Sequence, residues 1–310
     1  MALIAGFLVA VLATPVAARV ARRLGVVDRP GPLKVHEQPV PYLGGLAVLV
    51  ALVGPLALGR PTLLIPLALA TLLGLADDVS TLTPRLRLAC EMVVGVSAVL
   101  VLPTRGPVGA VVTVVAVLAL VNAVNLLDGL DGLASGVGAM SAIGFGLALH
   151  GDVRVLGLGL AGGLLGFLVW NRPPAGIYLG DAGSYLVGTA LALLVAHAFG
   201  PGQPIGLASG SALFVAVPVA DTAIAIVRRQ RAGRPLLQGD RGHVYDQLRD
   251  RGWSATRASG SCVGAQLLLV AIGLGINELP GPVAAAAASV VVVTIGTALI
   301  WFFTSPATWA

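Results

Sequence analysis

Over its 310 residues the chain returns repeatedly to apolar runs of about 16–20 residues, the length a helix needs to cross hydrocarbon. No water satisfies backbone N–H and C=O groups in lipid, so such runs leave only helices or a closed barrel. The short alternating strands of a barrel are not visible. Forty-one glycines and an aromatic content of 5% fit closely packed helices instead. The pattern predicts an all-α, polytopic membrane protein of about 11 transmembrane helices, at 2–18, 43–59, 61–76, 87–102, 107–127, 132–149, 155–171, 183–199, 205–227, 259–277 and 282–303. Only "GRP" separates the second span from the third. The opening "MALIAGFLVAVLATPVAA" has basic residues after its apolar run and none before it. That favours a retained first span over a cleaved leader, with the N-terminus outside.

Lys and Arg test this orientation. Connections 19–42, 77–86, 128–131, 172–182 and 228–258 then face the cytoplasm, as does the C-terminus. Of the 19 basic residues only Arg60, Arg105 and Arg154 fall outside. Cys90 and Cys262 lie far apart without metal-type spacing, so neither a disulfide framework nor a zinc site follows. No internal repeat is apparent, and 1–310 reads as one integral-membrane domain.

Acidic residues carry little topological bias, yet Asp77, Asp78, Asp128, Asp131, Asp181 and Asp240, from four connections, all fall at the cytoplasmic face. In "LVNAVNLLDGLDGLASG" (120–136) an apolar span runs into Asn122, Asn125, Asp128 and Asp131. Steps of three drift about 60° each on an unbroken helix, and Gly129 and Gly132 allow the helix to end or bend near Asp128. "LADDVSTLTPRLRL" (75–88) adds adjacent Asp77 and Asp78, which point in different directions on a helix, then Thr83 as N-cap and Pro84 in the next first turn. "GIYLGDAGSYLVG" (176–188) places Asp181 between Gly180 and Gly183 just before a span.

Two charges crowded to about 4 Å repel by about 4 kcal/mol at an effective dielectric near 20, and a divalent cation relieves this. Hard oxygen ligands without a His or Cys cluster favour magnesium, with manganese as the alternative. Such a site beside the basic loop 228–257 suggests phosphate chemistry, in which a metal neutralises developing charge and positioning does most of the rest. Much of that loop is explained by topology alone; Arg241 and His243, next to Asp240, are its better candidates for holding a diphosphate.

At these residues the chain resembles the polyprenyl-phosphate N-acetylhexosamine-1-phosphate transferases, the family of the WecA, TagO and MraY enzymes. The resemblance runs in order through "VDRPGPLKVHEQPVPYLGG" (27–45), "DDVSTLTPRLRL" (77–88), "NAVNLLDGLDGLASG" (122–136), "YLGDAGS" (178–184), Asp221 in "VPVADT" and "DRGHVYDQL" (240–248). It implies a magnesium-dependent reaction at the cytoplasmic face of the plasma membrane. Polyprenyl phosphate and a UDP-sugar, by default UDP-GlcNAc, would give polyprenyl-diphospho-sugar and UMP, initiating a cell-envelope glycan. By the same resemblance Asp181 is the metal ligand, and Asp77, with Asp78 beside it, deprotonates or orients the lipid phosphate. Asn125 and Asp128 match polar groups of the cleft. Gly129, Leu130 and Asp131 resemble the uracil-binding wall, where Tyr178 replaces a stacking Phe. Lys34 and His36 match a basic first loop that contacts nucleotide phosphate. Relatives commonly dimerise, which puts a homodimer among the expectations; no nucleic-acid partner is expected.

One departure stands out. Relatives carry a His-rich run in the last loop, whereas this chain reads His243-Val244-Tyr245-Asp246. Only the first His is kept, which bears on sugar specificity and argues against the MurNAc-pentapeptide enzyme. The rival reading is a cation- or proton-coupled transporter using the same carboxylates. A carrier places its binding groups near the bilayer midplane, whereas these gather at one face, with Asp221 the exception.

Overall fold

A computed structural model describes residues 1–29, 39–80, 82–103, 106–235 and 241–304. Its helices are α1 (Ala2–Leu24), α2 (Gly44–Leu58), α3 (Leu64–Ser80, entered through a 3-10 turn at Pro61–Leu63), α4 (Pro84–Val101), α5 (Gly106–Leu127), α6 (Leu133–Ala148), α7 (Gly151–Asn171), α8 (Gly180–Ala198), α9 (Ile205–Leu213), α10 (Ala216–Arg231), α11 (Val244–Asp250), α12 (Ala255–Asn277) and α13 (Gly281–Thr304). Two-residue strands β1 (Val27–Asp28) and β2 (Val40–Pro41) pair antiparallel, Val27 opposite Pro41, and draw together the two ends of the first polar segment. Apart from this ribbon the described residues are nearly all helix or the turns between helices, a polytopic membrane fold.

Each of the eleven expected spans falls on a helix, but the spans are not alike. Seven helices among the described residues are long and apolar enough to cross a bilayer. The expected span 205–227 is the pair α9 and α10, bent by 62° at Phe214–Val215, and counts as an eighth if the two halves are one crossing. Helices α2 and α6 are apolar but have only 15 and 16 residues. Helix α4 carries three charged residues, Arg85, Arg87 and Glu91, and is more polar than these seven. The loop expected at 228–258 is also partly helical, because α10 continues to Arg231 and α11 lies within it.

Local chemistry explains where helices stop. Gly25 adopts φ 73° after the basic last turn Arg22–Arg23 of α1. Thr83 Oγ1 accepts the Leu86 N–H at 3.4 Å, with Pro84 opening α4 as the sequence predicts. Helix α5 ends at Leu127, and Gly132 at φ 72° turns the chain into α6. The broken span is held differently. Gln266 of α12, wholly buried, donates to the carbonyls of Leu213 (3.1 Å) and Phe214 (3.0 Å), and its Oε1 accepts the Val217 N–H at 3.0 Å. Backbone groups freed by a bend within lipid depth must be paired, and one amide pairs three of them.

Helix α8 is the centre of the bundle, with 83% of its most apolar stretch buried and its packing against α2, α3 and α5, whereas α13, at 11%, lies at the edge. Between α1 and α7 the contact is backbone to backbone. A side chain at Gly162 or Gly166 would strike the carbonyls of Leu3 and Phe7. Val108, Val111, Val112 and Val115 point outward from α5, as a lipid-facing surface requires. The C-terminal ends of α3, α5, α7 and α10, the start of α8 and the short α11 meet at one end of the bundle. Cross-links between Asp78 and Asp181, Tyr245 and Leu126, and Asp221 and His243 join them.

Candidate active site

The site is organised around the first turn of α8. The chain enters it through Gly180 at φ 74°, where a side chain would press on the Tyr42 carbonyl and the Asp78 carboxylate. A helix start leaves backbone N–H groups unpaired and carries partial positive charge. Asp78, at the end of α3, meets both demands: its two oxygens accept the N–H groups of Asp181 (2.9 Å) and Ala182 (3.0 Å). Asp181 itself turns toward α5. Its Oδ1 accepts from Asn125 Nδ2 at 2.6 Å, and the same amide reaches Ser184 Oγ at 3.2 Å. Asp128 stands just beyond the end of α5 with Asp181, Asp78 and Asp131 as its charged neighbours. Burial first, then those three charges, hold its carboxyl well above the ordinary range, against the opposing Gly180 backbone N–H. Asn125, Asp128, Asp78 and Asp181 are thus brought together from three helices.

Asp77 faces another way, as adjacent residues on a helix must. It is buried, and its carboxylate accepts from Tyr185 Oη at 2.7 Å, from the Leu82 N–H at 2.8 Å and from Arg87, whose guanidinium lies 2.7 Å away. The Arg87 side chain keeps 30% of its surface exposed, so it is anchored at one side and open at the other. One turn further along α4, Glu91 accepts from Asn122 Nδ2 at 2.7 Å. The row of four polar residues along α5 therefore divides as its drift demands: Asn122 toward α4, Asn125 toward α8, Asp128 and Asp131 into the turn. Sequence reasoning missed Tyr185 and used Arg87 only for topology. Tyr185 lies four residues after Asp181, on the same helix face, and that spacing was the available signal.

Asp131 accepts the Ala175 N–H at 2.9 Å and so fixes the connection from α7 to α8. Asn171 braces the same corner: its Oδ1 accepts from the Gly132 N–H (3.1 Å) and Ser135 Oγ (2.7 Å), and its Nδ2 donates to the Ile177 carbonyl (3.0 Å). Half-buried Tyr178 is tied by its backbone, donating to the Pro41 carbonyl at 2.8 Å and accepting from the Gly44 N–H at 3.1 Å. Burial, then Asp131, Asp28 and Asp128, push its hydroxyl up to about 12, so it remains a donor. Gly129 is exposed on its backbone, and the Tyr245 hydroxyl occupies the place its side chain would take. Leu130 packs against the small cluster of Leu127, Leu133, Ile224 and Tyr245. Lys34, His36 and Asp240 lie outside the described residues.

The last loop explains two oddities of the sequence. Asp246, the acidic residue where relatives carry His, caps its own helix, accepting the His243 N–H at 3.3 Å, with Arg241 Nε 4.0 Å away. Arg241 is otherwise exposed. Asp221, the carboxylate that stood apart, is bound to the same loop: His243 Nδ1 lies 2.7 Å from its Oδ2, and its Oδ1 accepts the Val244 N–H at 2.7 Å. It joins the gathering at one end of the bundle, so the transporter reading loses its one separate carboxylate.

Among the described residues no three acidic, His or Cys side chains form a ready-made metal cage. Magnesium is commonly held by one or two carboxylates and completed by substrate phosphates and water. Asp181, with Asp128 beside it, is a hard-oxygen set that fits this sparse mode.

The profile of glycosyl transferase family 4 matches residues 61–198, the segment that carries Asp77, Asp78, Asn125, Asp128, Tyr178 and Asp181. Similarity to curated proteins extends further. A putative glycosyltransferase of Streptomyces coelicolor is 35% identical over 82% of this chain, which spans 64% of that protein's length. A probable undecaprenyl-phosphate N-acetylglucosaminyl 1-phosphate transferase of Bacillus subtilis is 31% identical, with 80% of this chain and 76% of the relative covered. A decaprenyl-phosphate N-acetylglucosaminephosphotransferase of Mycobacterium tuberculosis is 32% identical over 76% and 72%.

Proposed function

The chain belongs to glycosyl transferase family 4, and on that footing we propose that it transfers a sugar 1-phosphate, GlcNAc 1-phosphate by default, from a UDP-sugar to polyprenyl phosphate. The observation that carries this reading is the convergence of Asp78, Asn125, Asp128 and Asp181 on the first turn of α8, beside a basic loop. The names of the relatives supply the acceptor class, a polyprenyl phosphate, and the sugar phosphate.

In this reading an oxygen of the acceptor phosphate attacks the β-phosphorus of the donor. A new P–O bond forms, the bond to the bridging oxygen breaks, and UMP leaves with that electron pair. Asp181, with Asp128, would hold magnesium, which would supply charge neutralisation for the diphosphate. Asp78 caps the α8 N-terminus through the Asp181 and Ala182 N–H groups and so holds in place the turn that presents Asp181. Asn125 fixes the orientation of Asp181. With Tyr185, Arg87 and the Leu82 N–H on its oxygens, Asp77 is better suited to hold the Arg87 guanidinium toward the acceptor phosphate than to act as a free base or nucleophile. This favours direct displacement over an aspartyl-phosphate intermediate. Tyr178 would stack on uracil against the wall of Gly129, Leu130 and Asp131, and Lys34, His36, Arg241 and His243 would meet the donor phosphates.

The basic-residue distribution supports an N-terminus outside, eleven crossings and a site at the cytoplasmic face of the plasma membrane. Purified protein in detergent, given undecaprenyl phosphate, a panel of UDP-sugars and magnesium, should release UMP with one donor. Asp181→Asn should lower that rate by at least about 100-fold, the scale expected for losing a principal electrostatic contact. Full magnesium-dependent turnover in a folded Asp181→Asn protein would overturn the metal assignment.

A further inference from the structure

A carboxylate on a broken membrane span is costly unless something specific holds it there. Asp221 of α10 is 2% exposed, and its partner His243 is 3% exposed. They stand 22 residues apart in sequence and 2.7 Å apart in space. The second oxygen of Asp221 takes the Val244 N–H, so one carboxylate grips both the His243 ring and the start of α11. The ring of His243 is stacked on that of Tyr245, with centroids 5.7 Å apart and planes 7° from parallel. Tyr245 in turn donates to the Leu126 carbonyl at 3.3 Å and covers Gly129, next to Asp128. A chain of direct contacts thus leads from α10 to the cleft. Its root is set by Gln266, which fixes the bend from which α10 departs.

We propose that Asp221 is a positioning residue, which acts by holding the hydrogen of His243 on Nδ1 and thereby committing Nε2 to the donor diphosphate. The proposal rests on the transferase reading. A carboxylate can only accept, so in either protonation state of the ring Nδ1 carries hydrogen and Nε2 is the nitrogen left to act. This second carboxylate-dependent feature lies outside the family-matched segment 61–198 and compensates for the sparse histidines of the loop. With a single His retained, its tautomer has to be fixed by a neighbour.

Asp221→Asn tests this, because the amide oxygen can still accept the Val244 N–H while the amide NH2 faces Nδ1 and drives the hydrogen to Nε2. The expected result is a 10- to 100-fold fall in kcat/KM for the UDP-sugar, the range typical of losing such a supporting partner. KM for polyprenyl phosphate and the thermal midpoint should stay unchanged. In a His243→Gln background the same substitution should cost nothing more, since a residue acting through His243 has nothing left to act on. Equal activity of Asp221→Asn and the parent, or losses that add in the double variant, would overturn the proposal. Should Asp221→Asn fail to fold, 15N-histidine labelling of the full unmutated chain, with His243→Gln to assign the signal, reads the tautomer directly. Hydrogen on Nδ1 upholds the proposal and a bare Nδ1 overturns it. Absence of UMP release by the unmutated protein with every donor would instead overturn the transferase reading, and the tautomer measurement would still judge the pair.

Discussion

Asp77 and Asp78 are neighbours in the chain and do different work. Asp78 spends both oxygens on backbone N–H groups of α8, while Asp77 is held by a phenol, a guanidinium and one backbone N–H. Removing the phenol hydroxyl with Tyr185→Phe leaves a buried carboxylate short of one charge-assisted hydrogen bond, worth about 1.5–3 kcal/mol. If that bond keeps Arg87 aimed at the acceptor, kcat should drop roughly 10-fold or more with KM for the UDP-sugar unchanged, as read by steady-state UMP release. Such residues also mark the limit of sequence reading. Asn125, Asp128 and Asp181 were legible because they interrupt apolar runs, where a polar residue needs a reason. Beyond the four-residue spacing of Tyr185 from Asp181 nothing local announces Tyr185 or Asn171, because Asp77 and Ser135, which they bond, lie 108 and 36 residues away.

At the scale of the element, the eleven apolar runs found helices because hydrophobic length is a property of each segment by itself. The bend in 205–227 was not legible for the opposite reason: the groups that pay for it belong to α12. Gln266→Leu should therefore destabilise the protein by about 1–3 kcal/mol for each backbone group left unpaired at Leu213, Phe214 and Val217. Thermal unfolding in detergent should show a lowered midpoint, whereas Leu268→Ala, at an exposed, lipid-facing position of the same helix, should leave it nearly unmoved. The departure at Asp246 has a similarly local meaning. In "HVYDQL" its carboxylate accepts the His243 backbone N–H, so it stabilises the start of α11 and is turned away from the role its family position suggests.

For the molecule as a whole, orientation is the first thing to measure. With Cys90 and Cys262 replaced by Ala, a cysteine at Gln203 should react with a membrane-impermeant maleimide in intact cells. One at Ala232 should react only after permeabilisation. The reverse pattern would put the carboxylates outside and remove the acceptor phosphate and nucleotide from reach. The order of synthesis adds a separate consequence. The cap of α8 is supplied by Asp78, 103 residues earlier, and no residue of the α8 entry turn replaces it. As the chain emerges, α3 enters the membrane long before α8 exists, and α8 enters with its first turn uncapped until it docks against α3. The proposed catalytic surface therefore forms only when α8 docks against α3, which would make transferase activity a readout of completed assembly.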